Sequence, residues 1–491
     1  MTPSLAGSAA AAAVMAEQCT GRGRNGVVCA AAPLAALVGA ECLREGGNAF
    51  DAAVSAALAE TVLLPPKCGL GGDLVAIVRR AGADRPEALI AVGGAPSGLA
   101  SIATAGAWRD VGPNSVGPPA AAAGYQALAE LGALGRERLA AEAIDLARNG
   151  FPWAAVCTRL SEQSTALVAE MNPDGCAYFP NGAPIAPGAL TKLPGLGDVL
   201  AEWVRLGDRM LDGPVGAAIV DAVAARGGAL DHASLEFAVA EWSQCTTRTI
   251  ADRQLWATPA PTHGQLLLDA IDATPSDAGA VYRSLLAAIG RGHESLADPS
   301  GTSIVSAGDR FGNVVVIVHS NSYPRFGSGI VVAGYDLVLA NRAGRGFSPV
   351  PGHPNFPTAG RRPATTLHAW AVSGPDRNGV RLMGGTPGGA NQITWNAQSL
   401  TRVLDGCDEP GVLVTAPLWE WLPDDGVRIE AGMPDTDAGA LRAVAPRVIA
   451  TSQWGCKSAQ QVVRIPDTIT DTGGVWVGAA DPRTQGAAIG V

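Results

Sequence analysis

Short apolar runs bounded by turn signals recur along the chain, and each has the length of a buried strand. Residues 26–32 (GVVCAAA) and 74–80 (LVAIVRR) are such runs in the first half. Residues 303–321 hold two more around an Asp-Arg-Phe-Gly-Asn turn, a pattern that predicts a β-hairpin. Further strands are predicted within residues 329–341, 364–373, 379–386 and 473–481.

Longer helical stretches lie between these strands and carry start and stop signals. Pro33 opens one helix, which ends at Gly46 and Gly47, and Asn48 can cap the next helix, over residues 48–63. Strands in hairpins with helices in separate blocks favour a layered α+β fold. Further helices are predicted over residues 120–134, 136–150, 213–228, 232–242, 391–405 and 439–445.

Two segments invite a functional interpretation that their residues do not support. The Ala-rich residues 1–23 lack a basic region before the apolar run, which indicates a short helix or irregular lead-in rather than a signal peptide. The glycine-rich residues 65–73 (PPKCGLGGD) lack the Lys-Ser/Thr ending of a phosphate-binding loop. Their glycines predict a tight turn in which backbones approach closely.

Composition narrows the class of protein and its partners. The chain of 491 residues is 47% hydrophobic, which is enough to bury a large core. A formal net charge of −10 argues against nucleic acid and anionic membranes as partners. No stretch is long and apolar enough to predict a membrane span. The nine cysteines are an odd number without a C-x-x-C pair, which indicates reduced thiols and a cytoplasmic location.

Several common catalytic arrangements are absent from the sequence. There is no G-x-S-x-G nucleophile elbow, and no His pair at metal-ligand spacing occurs among the six histidines. We therefore expect neither a metal nor a cofactor. Thr302 stands at the start of a predicted strand, where threonine is ordinarily a good strand former and nothing more.

Segments spread over most of the chain change that interpretation when they are taken together and in order. They are GGNAFDAAVSAALAETVLLPPKCGLGGD, GRERLAAEAIDLARNGFPW, GPVGAAIVDAVAARGGALDHASLEF, GTSIVSAGDRFGNVVVIVHSNSYPRFGSGIVV, NRAGRGFSPVPGHPN, RRPATTL, GGTPGGANQIT and GAADPRTQGAA. In this order they resemble the γ-glutamyltransferase family. Relatives of that family with a similar NR-G-GFS-x-PGHPN segment include oxamate-type amidohydrolases.

The resemblance implies the four-layer αββα sandwich of N-terminal-nucleophile hydrolases, an α+β fold. It also implies a precursor that cuts itself between Gly301 and Thr302, since counting back from Gly312-Asn313 aligns Thr302 with the family's nucleophile. Residues 1–301 would form the large subunit and residues 302–491 the small one, and the two fragments would stay associated as one compact unit. The cut frees the α-amine of Thr302, whose reference pKa of about 8 suits a general base beside the hydroxyl nucleophile.

The same resemblance assigns the surrounding residues. Gly388 and Gly389 match the family's oxyanion-stabilising glycines, and Ser320 matches a threonine that hydrogen-bonds the nucleophile. Thr365 and Thr366 match a serine pair that lines the pocket. Asn341 and Arg342 are candidate substrate-binding residues, and Arg342 or Arg345 is suited to hold a carboxylate. From the residues alone, a β-turn after Pro387 is the default interpretation, and plain strand hydroxyls and a solvated arginine stay open as alternatives.

The chain departs from the family at both groups that hold glutamate. Residues 91–96 (AVGGAP) lack the arginine that binds the α-carboxylate, and Gly346 replaces the acidic residue that binds the α-amine. A charged group bound without a partner is costly, so we expect poor affinity for glutathione. Only 38 positions separate Gly264 from Thr302, where the family usually has a longer helical stretch.

Three functions remain open at this point. The first is hydrolysis or acyl transfer of an amide other than glutathione, with a small molecule as substrate. The second keeps the fold but cleaves a C–C bond to release an oxalyl group. The third is an uncleaved, inactive binding protein, against which the retention of Thr302, Gly388 and Gly389 argues.

Overall fold

The computed structural model describes residues 5–271, 277–290, 301–375, 379–422, 424–469 and 474–491. Short 3₁₀ helices supplement the α-helices and span Pro113–Ser115, Pro180–Gly182, Gly207–Asp212 and Ala233–Phe237. The α-helices, numbered α1–α16 in chain order, span Leu5–Gln18, Pro33–Arg44, Ala49–Leu63, Leu99–Thr104, Ala121–Ala129, Arg136–Asn149, Ala155–Glu162, Thr165–Met171, Pro194–Leu206, Pro214–Ala224, Gly264–Asp269, Ala278–Gly290, Arg342–Gly346, Asn391–Leu404, Pro410–Thr415 and Asp435–Val444.

The strands build two seven-stranded sheets and three smaller ones. They are numbered β1–β21 in chain order and span Thr20–Gly23, Gly26–Ala30, Asp73–Arg79, Glu87–Ala91, Phe151–Pro152, Leu190–Thr191, Glu241–Gln244, Thr246–Ile250, Arg253–Ala257, Thr302–Asp309, Val314–Ser320, Val331–Val332, Leu337–Val338, Ala369–Ser373, Val380–Gly385, Trp419–Trp421, Val427–Glu430, Val448–Thr451, Gln461–Arg464, Trp476–Ala480 and Ala487–Gly490.

The two large sheets are antiparallel and stack face to face. The first, called the nucleophile sheet here, has the order β21-β2-β10-β11-β3-β4-β7, and the second, called the glycine sheet, has the order β1-β20-β19-β15-β14-β9-β8. The core between them is continuous and includes Val75, Ile304 and Val316 from the nucleophile sheet with Trp256 and Met383 from the glycine sheet.

Helices cover the outer face of each large sheet. The helices α2, α3 and α5 pack on the nucleophile sheet, and α6, α9 and α10 extend the same core; α11, α14 and α15 pack on the glycine sheet, and α12 and α16 extend that core. The result is a four-layer αββα sandwich, which confirms the predicted fold. Strand alternation decides which way each side chain points: in β10, Ile304 enters the core between the sheets, whereas Val305 and Ala307 enter the helical layer.

Most of the predicted elements exist close to their predicted bounds. Asn48 caps α3 through its Oδ1, which accepts from the amides of Phe50 and Asp51 at 2.9 and 3.1 Å, while Asp51 accepts from the amide of Asn48 at 2.8 Å. The predicted hairpin is β10 and β11, and the Asp309 carboxylate closes its turn by accepting from the amides of Phe311 and Asn313.

Two predictions of secondary structure were wrong in part. The helix predicted over residues 232–242 is a 3₁₀ turn, and its last two residues begin β7, because they pair with the free edge of β4. Within residues 329–341, the predicted strands are shorter than expected: β12 and β13 have two residues each and pair with one another. Of the predicted N-terminal lead-in, residues 1–4 lie outside the described ranges.

Two further predictions from composition can be compared with the structure. None of the helices in the described part of the chain is both long and apolar enough to cross a bilayer. All nine cysteines are free thiols.

Candidate active site

Thr302 is the first residue of β10 and points into the space between the two large sheets. It shares a strand face with Ile304, which lies in the core between the sheets. Its backbone pairs with Ser320, the last residue of β11. The two hydroxyl oxygens lie 3.0 Å apart, and Thr302 is only 4% exposed. The predicted nucleophile and its predicted hydroxyl partner are thus neighbours across one strand pair.

The hydroxyl of Ser320 has three partners. It donates to the carbonyl oxygen of Gly301 at 2.9 Å and accepts from the amide of Ser322 at 2.8 Å. Because a hydroxyl carries only one proton, the Thr302 hydroxyl must then donate to Ser320. Ser320 therefore contacts both the side chain of Thr302 and the peptide bond that precedes it.

Gly301 is held in this position by close backbone packing. A Cβ atom at this residue would overlap the carbonyl oxygen of Ser322. Ser322 itself has a left-handed backbone, with φ of 66°, which is uncommon for a residue other than glycine and is often found at functional sites. The Gly301–Thr302 peptide bond is therefore placed against the loop that follows β11.

A cleft opens beside Thr302 and holds ≈ 440 Å³ of empty space, its open mouth included. Three of the residues that line it carry or can carry positive charge, and none of the described lining residues is Asp or Glu. The lining comprises His263, Gly301, Thr302, Ser320, Ser322, Tyr323, Arg342, Arg345, Ala364, Thr366 and Gly389.

The two predicted oxyanion glycines follow β15 of the glycine sheet, opposite Thr302. Gly388 and Gly389 have φ of 148° and 57°, and a Cβ atom on Gly388 would overlap the ring of Trp395. Gly389 lines the cleft, whereas Gly388 is not among its lining residues. In the orientation that satisfies its neighbours, the Gln392 amide accepts from the Gly389 amide at 3.3 Å. This bond is long, and a stronger acceptor in the cleft would compete with Gln392 for the Gly389 N–H.

Only one residue of the predicted Thr365–Thr366 pair faces the cleft. Thr366 lines it, whereas Thr365 is buried and its hydroxyl accepts from the amide of Leu367 at 3.2 Å. Behind this wall, His368 donates through Nδ1 to the carbonyl of Thr366 at 2.7 Å and accepts through Nε2 from Asn396 at 3.0 Å. Burial lowers the pKa of His368 to about 4, so the ring is neutral at pH 7.

Arg342 and Asn341 are adjacent in sequence but have different surroundings. Arg342 lines the cleft, and its Nε donates to Oδ2 of Asp73 at 2.8 Å. Asn341 is fully buried, and its amide nitrogen donates to the carbonyls of Asp110 and Tyr323 at 2.6 Å each. Asn341 therefore ties two loops together next to the cleft, and Arg342 faces the cleft itself.

Asp73 joins Thr302 and Ser320 in a row across three neighbouring strands. Ser320 pairs with Thr302 on one side and with Asp73 on the other. Burial raises the pKa of Asp73, although Arg342 and the amide of Gly93 both favour its charged form. The motif GLGGD supplies this residue, and its glycines make the predicted close approach: Cβ atoms on Gly71 and Gly72 would overlap the carbonyl oxygens of Val338 and Ser320.

Sequence reasoning did not identify Asp73, His263 or Tyr323 as neighbours of the site. Asp73 ends the GLGGD motif, in which only the glycines carried a prediction, and His263 directly precedes Gly264, which carried only the spacing to Thr302. Each follows or begins a strand whose end reaches the cleft, which is a signal that requires knowledge of the strand order.

The positions where the family holds glutamate are closed by packing. Val92 is fully buried, and a Cβ atom on Gly93 would overlap the carbonyl oxygen of Pro118. A Cβ atom on Gly94 would lie 2.5 Å from the carbonyl oxygen of Gly360. At Gly346, it would lie 2.6 Å from Cβ of Pro363 and 2.7 Å from the carbonyl oxygen of Ala364. Both glutamate-binding side chains are therefore missing, and Gly93, Gly94 and Gly346 have no room for a Cβ atom without a shift of their neighbours.

One buried cluster behind the site has the ligand atoms of a metal centre. Glu60, Cys68 and His319 place these atoms within 4.8 Å of one another. The ring of His319 bonds to Glu60 at 2.9 Å and to the hydroxyl of Tyr125 at 2.6 Å, and the other oxygen of Glu60 accepts from the amide of Ala31 at 2.6 Å. These bonds fix His319, the strand residue before Ser320, from the side of the sheet that faces the helices.

Comparison with known proteins gives a consistent result over most of the chain. A sequence profile described as Gamma-glutamyltranspeptidase matches residues 35–276 and 276–491. The chain is 27% identical to an oxamate amidohydrolase proenzyme from Klebsiella pneumoniae, over 95% of this chain and 98% of that protein. It is 23% identical to a glutathione hydrolase proenzyme from Bacillus subtilis, over 96% and 92%. The fold matches a cephalosporin acylase from Bacillus halodurans with a TM-score of 0.83 at 23% identity, over 96% and 97%.

Proposed function

The chain belongs to the γ-glutamyltranspeptidase family of N-terminal-nucleophile enzymes, and we propose that it cuts itself before Thr302 and then transfers or hydrolyses acyl groups through an acyl-Thr302 intermediate. The observation that carries this proposal is the contact of Ser320 with both the Thr302 hydroxyl, at 3.0 Å, and the Gly301 carbonyl, at 2.9 Å. One side chain therefore hydrogen-bonds both the oxygen that attacks and the carbonyl group that it attacks.

Self-cleavage follows from these contacts. The Thr302 hydroxyl oxygen attacks the carbonyl carbon of Gly301 and passes its proton through Ser320, whose own hydrogen bond polarises that carbonyl. The C–N bond then breaks, the Thr302 nitrogen takes up the proton, and the acyl group moves to oxygen as an ester. Water hydrolyses the ester and leaves a free carboxylate on Gly301 and a free α-amine on Thr302. The products are residues 1–301 and 302–491.

The sheet order explains how the two fragments would stay together. In the nucleophile sheet, β10 and β11 come from the second fragment, and they lie between β2 and β3, which come from the first. The backbone hydrogen bonds between β10 and β2 and between β11 and β3 do not depend on the cut bond. We infer that separating the fragments requires denaturation.

In turnover, the free Thr302 amine accepts the proton of the Thr302 hydroxyl as that oxygen attacks the substrate carbonyl. The Gly388–Gly389 backbone provides donors for the oxyanion, a role that is typically worth about 3 kcal/mol per donor in the transition state. The support is the position of Gly389 in the cleft wall across from Thr302. A leaving amine takes the proton, and water or an acceptor amine releases the acyl group.

The substrate is proposed to be an amide other than glutathione. The α-carboxylate and α-amine of a γ-glutamyl group would enter a site that lacks both of the family's glutamate-binding side chains and has no room for a Cβ atom at Gly93, Gly94 or Gly346. A relative that spans 98% of its own length with this chain is named for oxamate, a small amide that carries a carboxylate. Such a compound has no ammonium group and therefore needs no acidic partner in the site.

The direct test is to find the acyl-enzyme. Fully cleaved protein is mixed with a series of amides and quenched in acid, and the mass of the fragment 302–491 is measured. An added acyl mass on Thr302 that decays as product forms supports the proposal. Turnover without any adduct, or with an adduct elsewhere, contradicts it. Identification of the released product as an amine and an acid separates amide cleavage from C–C cleavage that releases an oxalyl group.

A further inference from the structure

The charge pattern of the cleft indicates what kind of acyl group it accepts. Two arginines and a histidine line it, and none of the described lining residues is acidic. These side chains favour the binding of a negatively charged ligand, whereas an ammonium group would have no carboxylate partner among the described lining residues. The two arginines differ in how deeply their side chains are buried, and that difference selects one of them.

Arg342 is the more buried of the two, with a side chain that is 9% exposed against 21% for Arg345. Its Nε donates to Asp73 at 2.8 Å in a pair whose side chains are only 9% and 2% exposed. Arg345 contacts Asp110 at 3.3 Å, and that carboxylate is 58% exposed. The bond from Nε to Asp73 orients the guanidinium plane of Arg342. The terminal amino groups of Arg342 are then the part that a ligand in the cleft would contact.

Asp73 does not supply a site for an ammonium group. Its Oδ2 accepts from Arg342 at 2.8 Å, and its Oδ1 accepts from the amide of Gly93 at 3.3 Å. Both oxygens therefore have protein donors. The carboxylate serves to hold the arginine, and the only other acidic position expected from the family, residue 346, is a glycine packed against Pro363 and Ala364.

The strand row sets the distance between the reacting atom and this arginine. Thr302, Ser320 and Asp73 are register partners on three adjacent strands, so two strand spacings, about 10 Å, separate the backbones of Thr302 and Asp73. All three side chains point into the space between the sheets, and Arg342 extends to Asp73 from the cleft wall. A carboxylate on Arg342 then lies a short acyl chain away from the Thr302 hydroxyl.

We propose that the acyl group accepted by Thr302 is short, carries one carboxylate that binds the terminal amino groups of Arg342, and carries no ammonium group. The substrate class is the monoamides of short dicarboxylic acids. This inference rests on the proposed amide chemistry and adds the identity of the residue that selects the substrate. Arg342 is a specificity-determining residue, and Asp73 is the residue that positions it.

The test compares three sets of amides on fully cleaved protein. The first set is monoamides of unbranched dicarboxylic acids of two to five carbons, the second is neutral monocarboxylic amides of the same chain lengths, and the third is the α-amino derivatives of the first set. We expect kcat/KM for the best member of the first set to exceed that of its neutral counterpart by ten- to several-hundredfold, which is the range for one charged hydrogen-bonded pair. Equal rates, or a preference for the α-amino derivatives, would overturn the inference.

The variant for this test removes both charges of the pair. Arg342→Gln alone leaves Asp73 as a buried, unpaired charge and risks misfolding, so Asp73→Asn/Arg342→Gln is the main variant. For each protein, the readout is kcat/KM for the anionic amide divided by kcat/KM for its neutral counterpart. A general loss of activity lowers both values and cancels in this ratio. The ratio should fall to near one. The matched control, Glu202→Gln/Arg205→Gln, removes a pair whose arginine is 60% exposed and should keep the wild-type ratio.

A binding measurement separates failure of this inference from failure of the proposed function. The dicarboxylate products are titrated into the same three proteins by calorimetry, which needs no turnover. If no amide is hydrolysed, the proposed amide chemistry is wrong. Binding that weakens at least tenfold in Asp73→Asn/Arg342→Gln but not in the control still supports the anion site. Binding that is absent in the wild type, or unchanged in the double variant, overturns it.

Discussion

The Ser320 hydroxyl lies 3.0 Å from the Thr302 hydroxyl and 2.9 Å from the carbonyl oxygen of Gly301. Two strand residues and the glycine before them produce this arrangement: Thr302 begins β10, Ser320 ends β11, and the register of the hairpin places them opposite each other. A strand pair is a rigid support, so Ser320 holds the Thr302 hydroxyl and the Gly301 carbonyl close to each other in the uncut chain.

Gly301→Ala should block or strongly slow self-cleavage, although it leaves every proposed reacting group in place. The added Cβ would overlap the carbonyl oxygen of Ser322, so the Gly301 carbonyl must move away from Ser320. A displacement of about 1 Å between reacting groups can reduce a rate about a hundredfold. Denaturing gels of freshly purified protein over time measure the rate.

The control for this prediction is Gly439→Ala. A Cβ at Gly439 meets open space within α16, so this variant should cleave like the wild type. Normal cleavage of Gly301→Ala would mean that the scissile bond is not held against Ser322 in the reacting precursor.

Gly389→Ala should lower kcat by tenfold or more while KM changes little, because an oxyanion donor acts mainly in the transition state. The measurement is steady-state kinetics on the best amide substrate. Gly389 has φ of 57°, so part of any effect arises from backbone strain. Gly106→Ala is the matched control, since Gly106 has φ of 70° and open space around it at the surface. Similar losses in both variants would refute the assignment of Gly389.

γ-Glutamyl anilides should be poor substrates of the fully cleaved protein. Two charged hydrogen bonds to the glutamate are lost, and each is worth about 1.5–3 kcal/mol, so kcat/KM should be lower by a factor of hundreds or more than in an ordinary family member. A chromogenic assay, with and without a dipeptide acceptor, measures it. Turnover near about 10 per second, the median for enzymes, would show that other residues bind the glutamate.

The same account predicts that Gly346→Asp does not restore activity towards γ-glutamyl anilides. Its Cβ would lie 2.6 Å from Cβ of Pro363, and such overpacking typically costs about 1–3 kcal/mol of stability. Gly352→Asp places the same charge on a nearby exposed loop with open space and should be tolerated better. A gain of γ-glutamyl activity in Gly346→Asp would show that the acidic position is only vacant, not closed.

His368 should make the stability of the protein depend on pH between about 4 and 6.5. Its pKa falls from 6.5 in the unfolded chain to about 4 in the fold, because burial disfavours the charged ring. The unfolded state then binds more protons in this range, so stability is full above pH 6.5 and is lost as the pH falls, by up to about 3 kcal/mol.

Urea unfolding at pH 7 and pH 4.5 measures this effect, on the Thr302→Ala background so that the protein stays a single chain. His368→Gln can still donate to the Thr366 carbonyl and accept from Asn396 but does not titrate. Between pH 7 and pH 4.5, the free energy of unfolding of this variant should fall by about 2–3 kcal/mol less than that of the Thr302→Ala protein. Parallel losses in both proteins would mean that His368 is not the responsible group.

The fold and the centre of the site could be predicted because strong local signals and family motifs coincide there. Asn48 and Pro33 mark real helix starts, and the D-R-F-G-N turn fixes the hairpin that pairs Thr302 with Ser320. The helix predicted over residues 232–242 failed because its end pairs with the edge of β4, a contact that local propensity does not contain. Asp73 was missed for the same reason: its role depends on which strand lies beside β11.

The central claim is that Thr302 cuts the chain at its own amino side, and the most direct test is the intact mass of the purified protein under denaturing conditions. The account predicts two fragments, residues 1–301 and residues 302–491, the second beginning with Thr302. Thr302→Ala should remain one chain of 491 residues, and Thr302→Ser should still cut, at a reduced rate, because a hydroxyl remains. A wild-type protein that stays a single full-length chain while it hydrolyses amides, or a Thr302→Ala variant cut at the same bond, would contradict the account.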